Sequence, residues 1–351
     1  MRATALTPRP SETRFIVRTL TRELGELVWS QVRGLGPALL GTLALFFGLC
    51  ALQILHARRT RPRDQARAKP PPEFGVDLVY WMVVSMFRIG SRLLVLAVLV
   101  LGTLALGLSL SPRIFDGYGP VLQQPRWLMV AELFVLTDFI SYWSHRACHR
   151  VPWLWRVHKI HHSPTKVYWT STARLHPLND AFTYAANVLP ALALGFPLEA
   201  LAPFVPLVSL FATWSHSKSN ASMGPFKGVL TGPLFHRWHH THSDEGGDAN
   251  FAGIFSFWDV LFGTHYLPEG RIPERFGLDD ERLEESFWAQ MLVPFRSCER
   301  APGMTSIASD EACGDHGGQP RDWAGAGAGL LGARLPGDAG RPHRELDPRS
   351  A

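Results

Sequence analysis

The sequence predicts an all-α integral membrane protein: about four transmembrane helices, the last pair in the form of a kinked hairpin, beneath a cytoplasmic helical cap rich in histidine. Three observations carry this prediction. Apolar residues are gathered into long blocks even though the mean hydropathy is near zero (+0.01). A strongly basic loop follows the first block. Histidines recur at helical spacing beside the later ones.

Taken in order, residues 1–35 form an N-terminal segment, and residues 36–126 hold the first membrane spans and their loops. Residues 36–55, GPALLGTLALFFGLCALQIL, carry no charge over a length that a bilayer core requires. The apolar run starts too deep for a cleavable signal peptide. A second uncharged run, LLVLAVLVLGTLALGLSL, covers 93–110. The third, 127–144, is apolar and aromatic apart from Glu132 and Asp138. The fourth stretch, 181–214, contains Pro190, Pro197, Pro203 and Pro206, and reads as a hairpin that enters and returns. Residues 283–295, LEESFWAQMLVPF, have the spacing of an amphipathic surface helix, with an ordinary packed helix as the equal alternative. Residues 269–295 are read as that surface segment. Residues 296–351, rich in Gly and Pro without an apolar period, are read as a disordered tail.

Direction follows from charge. The loop HARRTRPRDQARAK has six Lys/Arg against one acid, which the positive-inside rule places in the cytoplasm. Counting spans onward brings His145 out on that same side, and the hairpin returns His216 there as well. The net charge of +5 and the pI near 9.2 are therefore read as topology signals, not as a nucleic-acid surface. Cys50, Cys148, Cys298 and Cys313 form no CxxC pair, which excludes a zinc ribbon and gives no disulfide framework.

The chemistry lies in the histidines, twelve of whose fifteen members fall between residues 145 and 265. His145 and His149 are four apart and share a helix face. His158, His161 and His162 stand at i, i+3 and i+4, and His236, His239 and His240 repeat that pattern. Imidazole is the commonest protein ligand for transition metals. These three boxes supply eight donors, with His216 as a ninth and His176 as a tenth candidate. So many ligands exceed one ion and imply two metals close together. Asp138, two turns before His145 and inside a span, is expected to orient a box histidine, or else to make a helix-packing hydrogen bond. Asp248 and Asn250 are expected to serve the third box. His242 is read as an accessory or exposed residue, Cys148 as lacking a role, and His56, His265, His316 and His343 as structural or solvent-facing.

The order HRACH, HKIHH, RLHP and FHRWHH resembles the membrane fatty acid hydroxylase and sterol desaturase superfamily. Flanking positions match as well: Asp138, Tyr142-Trp143, Asp248-Ala249-Asn250-Phe251, Trp258-Asp259 and Leu261 to Thr264. The resemblance covers about residues 127–268 and implies a catalytic domain there. It implies a non-haem di-iron oxygenase with His145, His149, His158, His161, His162, His216, His236, His239 and His240 as iron ligands, and His176 at the family's RxHP position. No residue beyond the metal ligands is assigned a catalytic role.

Such an enzyme would hydroxylate a lipid C–H bond with O2, the lipid entering from the bilayer. A lipid or sterol desaturase with the same centre is the alternative, and a non-catalytic metal- or lipid-binding protein a distant one. The boxes lie outside the spans and on one side, which disfavours a transporter. There is no HExxH for metal-dependent hydrolysis. No flavin, nicotinamide or HPGG-type haem pattern is present, so electrons are expected from an NAD(P)H-dependent reductase or a small carrier. Arg146, Arg150, Arg156 and Lys159 are available to dock an acidic one. Zinc is expected to compete for an all-imidazole site in overexpressed protein. The Ala/Arg/Gly/Pro bias points to a bacterial inner membrane rather than the endoplasmic reticulum.

Overall fold

The computed structural model describes residues 73–105, 115–201, 204–279 and 281–296, with the isolated positions Gly25, Ala44 and Gly48. The expected first span, the basic loop and the C-terminal tail lie outside the described residues. Within them the architecture is helical. One isolated antiparallel bridge, Thr241 to Phe276, is the extent of β pairing among the described residues.

Helix α1 runs from Phe74 to Ala105. It begins nineteen residues before the expected span at 93–110, because its charged residues are held by partners instead of being excluded. Asp77 meets Arg174, with guanidinium nitrogen to carboxylate oxygen at 2.7 Å, and Arg88 meets Asp180 at 3.3 Å. Its exposed side is apolar, with Met82, Met86, Leu94, Val98 and Leu101. Its buried side includes Asp77, Tyr80 and Ser91. Greasy residues outward and polar ones inward suit a lipid solvent. The segment Phe74–Leu99 is the one stretch among the described residues long and apolar enough to cross a bilayer. Four spans are thus not seen in the described residues.

Helix α2, Arg126–Arg150, carries the expected third span and continues through the first histidine box. Val151 turns extended because the following Pro152 disfavours helical geometry before it. Pro152 then opens α3, Pro152–His162, at the position where its missing N–H costs nothing. This corner folds the second box back against the first.

The expected hairpin exists as α4, Pro177–Ala193, and α5, Phe204–Ser215, joined through a 3-10 turn at Leu198–Leu201. At about 25 Å and 18 Å by helix rise, neither arm matches a full bilayer core. The two arms close around Met129, Leu133, Ala191, Phe196 and Phe204. Gly195 ends the first arm with φ +89°, where its N–H reaches Leu192 and its carbonyl accepts from Tyr118 N–H.

Three short helices complete the cap: α6, Pro233–His239; α7, Phe257–Leu261; and α8, Phe287–Leu292. Helix α8 falls within the expected surface segment but covers only Phe287–Leu292, so Leu283 lies outside it. Phe287 packs on Tyr80 edge-to-face at 4.9 Å, while Trp288, Leu292 and Phe295 stay exposed. Arg174, fully buried, clamps the lower cap to α1. It donates to Asp77, Ser163 and the Glu73 carbonyl, and lies 3.5 Å from Glu285.

Candidate metal centre

Nine histidines converge, carried by α2, α3 and α6 and by the residues just past the ends of α5 and α6. His145, His149, His158, His162 and His239 form one group, and His161, His216, His236 and His240 a second; within each group the ligand atoms lie within 4.8 Å of one another. The groups adjoin, since the rings of His162 and His240 stack at 4.4 Å. The i, i+3, i+4 spacing explains the division. His158 and His162 lie one turn apart and serve the first group, while His161 reaches the second. In the third box His239 joins the first group, while His236 and His240 face the second.

Hydrogen bonds settle which nitrogen of several rings carries its proton. His145 Nδ1 donates to the Phe251 carbonyl at 2.8 Å and His239 Nδ1 to the Ala249 carbonyl at 2.8 Å. His158 Nδ1 donates to Asn179 Oδ1 at 3.0 Å, and His216 Nδ1 to the Ala212 carbonyl at 2.7 Å. A neutral ring with Nδ1–H holds a bare lone pair on Nε2. These four rings therefore aim lone pairs into the chamber.

Burial keeps the rings neutral. Loss of hydration pulls His145 and His216 down to about 4, and drives His149, His158, His161, His162, His236, His239 and His240 well below the usual range, with neighbouring imidazoles adding to the effect in most of them. The Nε2 atoms of His149, His158, His162 and His239, and the Nδ1 atoms of His161 and His240, are buried without a protein partner. In the second group, Nε2 of His216 lies 3.2 Å from that of His161 and 3.1 Å from that of His236, which is 3.1 Å from that of His240. Buried lone pairs gathered without donors are costly. A cation in each group removes that cost, so the residues fit a pair of transition metals.

The remaining expected site residues are placed differently. His176 joins neither group. It caps α4, its Nδ1 accepting from Leu178 N–H at 3.1 Å and its Nε2 lying 3.2 Å from the Met291 carbonyl. Both ring nitrogens are thereby engaged away from the chamber. Asp138 does not orient a histidine directly. It accepts from the N–H groups of Ile254 and Phe255 and from Trp258 Nε1, at 3.0–3.1 Å. The two-turn spacing to His145 holds, but the carboxylate is taken by a loop more than a hundred residues later. Asp248 pairs with Arg150 at 2.7 Å, on the half-exposed rim.

Asn250 serves the third box through the backbone. Its side chain donates to the Phe235 and Tyr266 carbonyls and accepts from Tyr266 N–H. These bonds hold it at φ +61°, a conformation that asparagine tolerates, and so fix Ala249 and Phe251 on either side as acceptors for His239 and His145.

Two residues without a site role in the sequence reading prove important. Asn179 orients His158 from the first turn of α4, and no local pattern distinguishes it from an ordinary helix-start polar residue. Asp259 accepts from the N–H groups of Phe251 and Ala252, each at 2.8 Å, and from Thr264 Oγ1 at 2.7 Å. Burial pushes its carboxyl up to about 6. Two of the half-buried basic residues named above are also engaged: Arg146 with Tyr142 Oη at 3.1 Å and Lys159 with Glu281 at 2.5 Å.

With this geometry in place, residues 130–264 match the model of the fatty acid hydroxylase family. The matched residues carry both histidine groups entire. This segment belongs to the fatty acid hydroxylase and sterol desaturase superfamily. Relatives within it include an ornithine lipid hydroxylase of Rhizobium tropici, 28% identical over 49% of this chain and 52% of its own. The human alkylglycerol monooxygenase is 34% identical over 37% of this chain and 29% of its own. A very-long-chain aldehyde decarbonylase of Oryza sativa subsp. indica is 32% identical over 43% of this chain and 58% of its own. The chain thus matches less than two thirds of the length of each of these relatives. No solved structure matches it. In the superfamily segment the first box sits on a long helix and the second on the helix that folds back, and this brings sequence-distant imidazoles to one chamber.

Proposed function

We propose that the chain is a membrane-bound non-haem di-iron oxygenase that hydroxylates a lipid. The observation that carries this reading is the pair of adjoining imidazole groups, in each of which the ligand nitrogens lie within 4.8 Å of one another, with Nε2 of His149, His158, His162 and His239 buried and unpartnered in the first. His145, His149, His158, His162 and His239 would hold one iron, and His161, His216, His236 and His240 the other. His176 is left out of this set. Bound there, two irons supply activation of O2 and oxidation of an unactivated C–H bond, chemistry beyond any side chain.

The chain's own residues do the rest. The carbonyls of Phe251, Ala249 and Ala212 and the amide of Asn179 lock ring orientation, which raises ligand basicity and preorganises the site. Asp138 and Asp259 hold the loop that provides two of these carbonyls. The apolar surroundings exclude water from the chamber. One oxygen atom ends in the lipid hydroxyl and the other in water, so each turnover consumes two electrons and two protons. A separate reductase or small electron carrier delivers the electrons, docking on the cytoplasmic face beside Arg146, Arg150, Arg156 and Lys159. Similarity to an ornithine lipid hydroxylase and an alkylglycerol monooxygenase supports a lipid substrate and oxygen insertion. A bacterial inner membrane is the proposed location.

Expression in a lipid-producing host tests this. Lipid mass spectrometry should find a gain of about sixteen mass units in one lipid class, absent with the His161→Ala/His240→Ala variant. A loss of two units would make the enzyme a desaturase, and no change with a fully iron-loaded protein and a competent reductase would refute the oxygenase reading.

A further inference from the structure

A cavity of about 840 Å³ lies between α1, α2, α4 and α5. It approaches the histidine chamber along two helices. Its wall includes Ser141, one turn before His145, and Ala212, whose carbonyl holds His216. Phe134, Val188, Leu201 and Phe204 give it apolar sides.

Two cations of α1, Arg88 and Arg92, also line this cavity, and both lie within the stretch apolar enough to cross a bilayer. A guanidinium at that depth is expensive unless it has a partner or a task. One turn apart, the two share a helix face. Arg88 has its partner in Asp180, which also accepts from Ser91 Oγ at 2.8 Å. Arg92 stands over the Tyr184 ring at 5.5 Å and makes no ion pair among the described residues. Of the other carboxylates of the wall, Asp138 is taken up by Ile254 N–H, Phe255 N–H and Trp258 Nε1, and Asp116 and Glu199 sit beyond the C-terminal end of α4, where Leu198 N–H meets the Phe115 carbonyl.

We propose that Arg92 receives the anionic group, phosphate or carboxylate, of a lipid lodged in this cavity. The inference rests on the oxygenase reading of the neighbouring chamber and adds the substrate's chemical class. Guanidinium matches either anion through paired N–H donors. Tyr184 follows Asn179, the partner of His158, by five residues, or about 7.5 Å of helix rise. An anion on Arg92 therefore keeps the head-group end of the lipid nearest the chamber, while the chain runs along the apolar wall. Oxidation falls near the head group, not at the methyl end.

Binding measurements on the full-length, metal-loaded protein in an uncharged detergent test this directly. The probes are a single-chain phosphate monoester lipid, the fatty acid and the uncharged monoacylglycerol of equal chain length, with inorganic phosphate as competitor. The anionic lipids should bind about tenfold or more tighter than the neutral one, the size of a single charge-assisted hydrogen bond. Arg92→Gln should abolish that preference with metal content unchanged, and Arg92→Lys should restore part of it. The His161→Ala/His240→Ala variant should keep the preference, so a failure of the oxygenase reading is recognised separately by its lipid products. Equal affinity of wild-type protein for charged and neutral lipids would overturn the proposal, as would a preference that survives Arg92→Gln. Displacement by inorganic phosphate irrespective of chain would mark a free-anion site and overturn it too.

Discussion

At the scale of single residues, the chamber is built from proton placement. Asn179 and three backbone carbonyls each take an Nδ1–H, and each leaves an Nε2 lone pair facing inward. Removing such a partner should weaken metal binding by about 10- to 100-fold. We predict that loss for Asn179→Ala, measured by chelator competition, with Asn179→Asp retaining most of the affinity. Acid provides a second check. In the unfolded chain imidazoles take up protons near 6.5, whereas buried His145 and His216 do so only near 4. Between these values the unfolded state binds more protons, so stability rises with pH. Metal-free protein should therefore lose thermal stability steadily from about pH 6.5 down to about pH 4. A melting temperature flat across that window would mean that the rings are solvated.

At the scale of elements, the loop after α6 and the start of α7 matter as much as the helices that carry histidines. Asp138 satisfies two of its backbone N–H groups and Asp259 two more. Leaving such donors buried and unpaired costs about 1–3 kcal/mol each. Asp138→Ala should thus lower the melting temperature clearly and deplete the five-histidine group, which depends on the Phe251 carbonyl, more than the four-histidine group. Equal depletion of both would argue that the loop has no selective role.

The same elements explain what was legible in the sequence. The boxes could be read because an i, i+3, i+4 pattern is local, and a helix turns it into one face without help from the rest of the fold. Asp138 could be singled out as an acid in an apolar run, but its partner could not, since that partner is backbone 116 residues away. His176 looked like the other histidines because its capping bond to Leu178 leaves no special mark. Helix α1 was read too short because an uncharged-run criterion cannot foresee that Asp77 and Arg88 find Arg174 and Asp180.

At the scale of the whole molecule, a buried charge network joins α1, the segment after α3 and the approach to α8 through Arg174. Breaking one partner of a buried pair typically costs about 3–5 kcal/mol, because the other charge stays stranded. Arg174→Met should be severely destabilising in denaturant or thermal unfolding. The double variant Arg174→Met/Asp77→Leu should recover part of the loss, whereas additive losses would show that the two residues are not coupled.

The account stands on two adjoining metal positions in one chamber. Elemental analysis of purified, iron-supplemented protein measures this most directly: about two transition-metal ions per chain in the wild type, falling to about one when His149 and His158 are both replaced by alanine, and likewise when His216 and His240 are. One ion or fewer per well-folded wild-type chain, or the loss of both ions from either pair of substitutions with the other group intact, would contradict it.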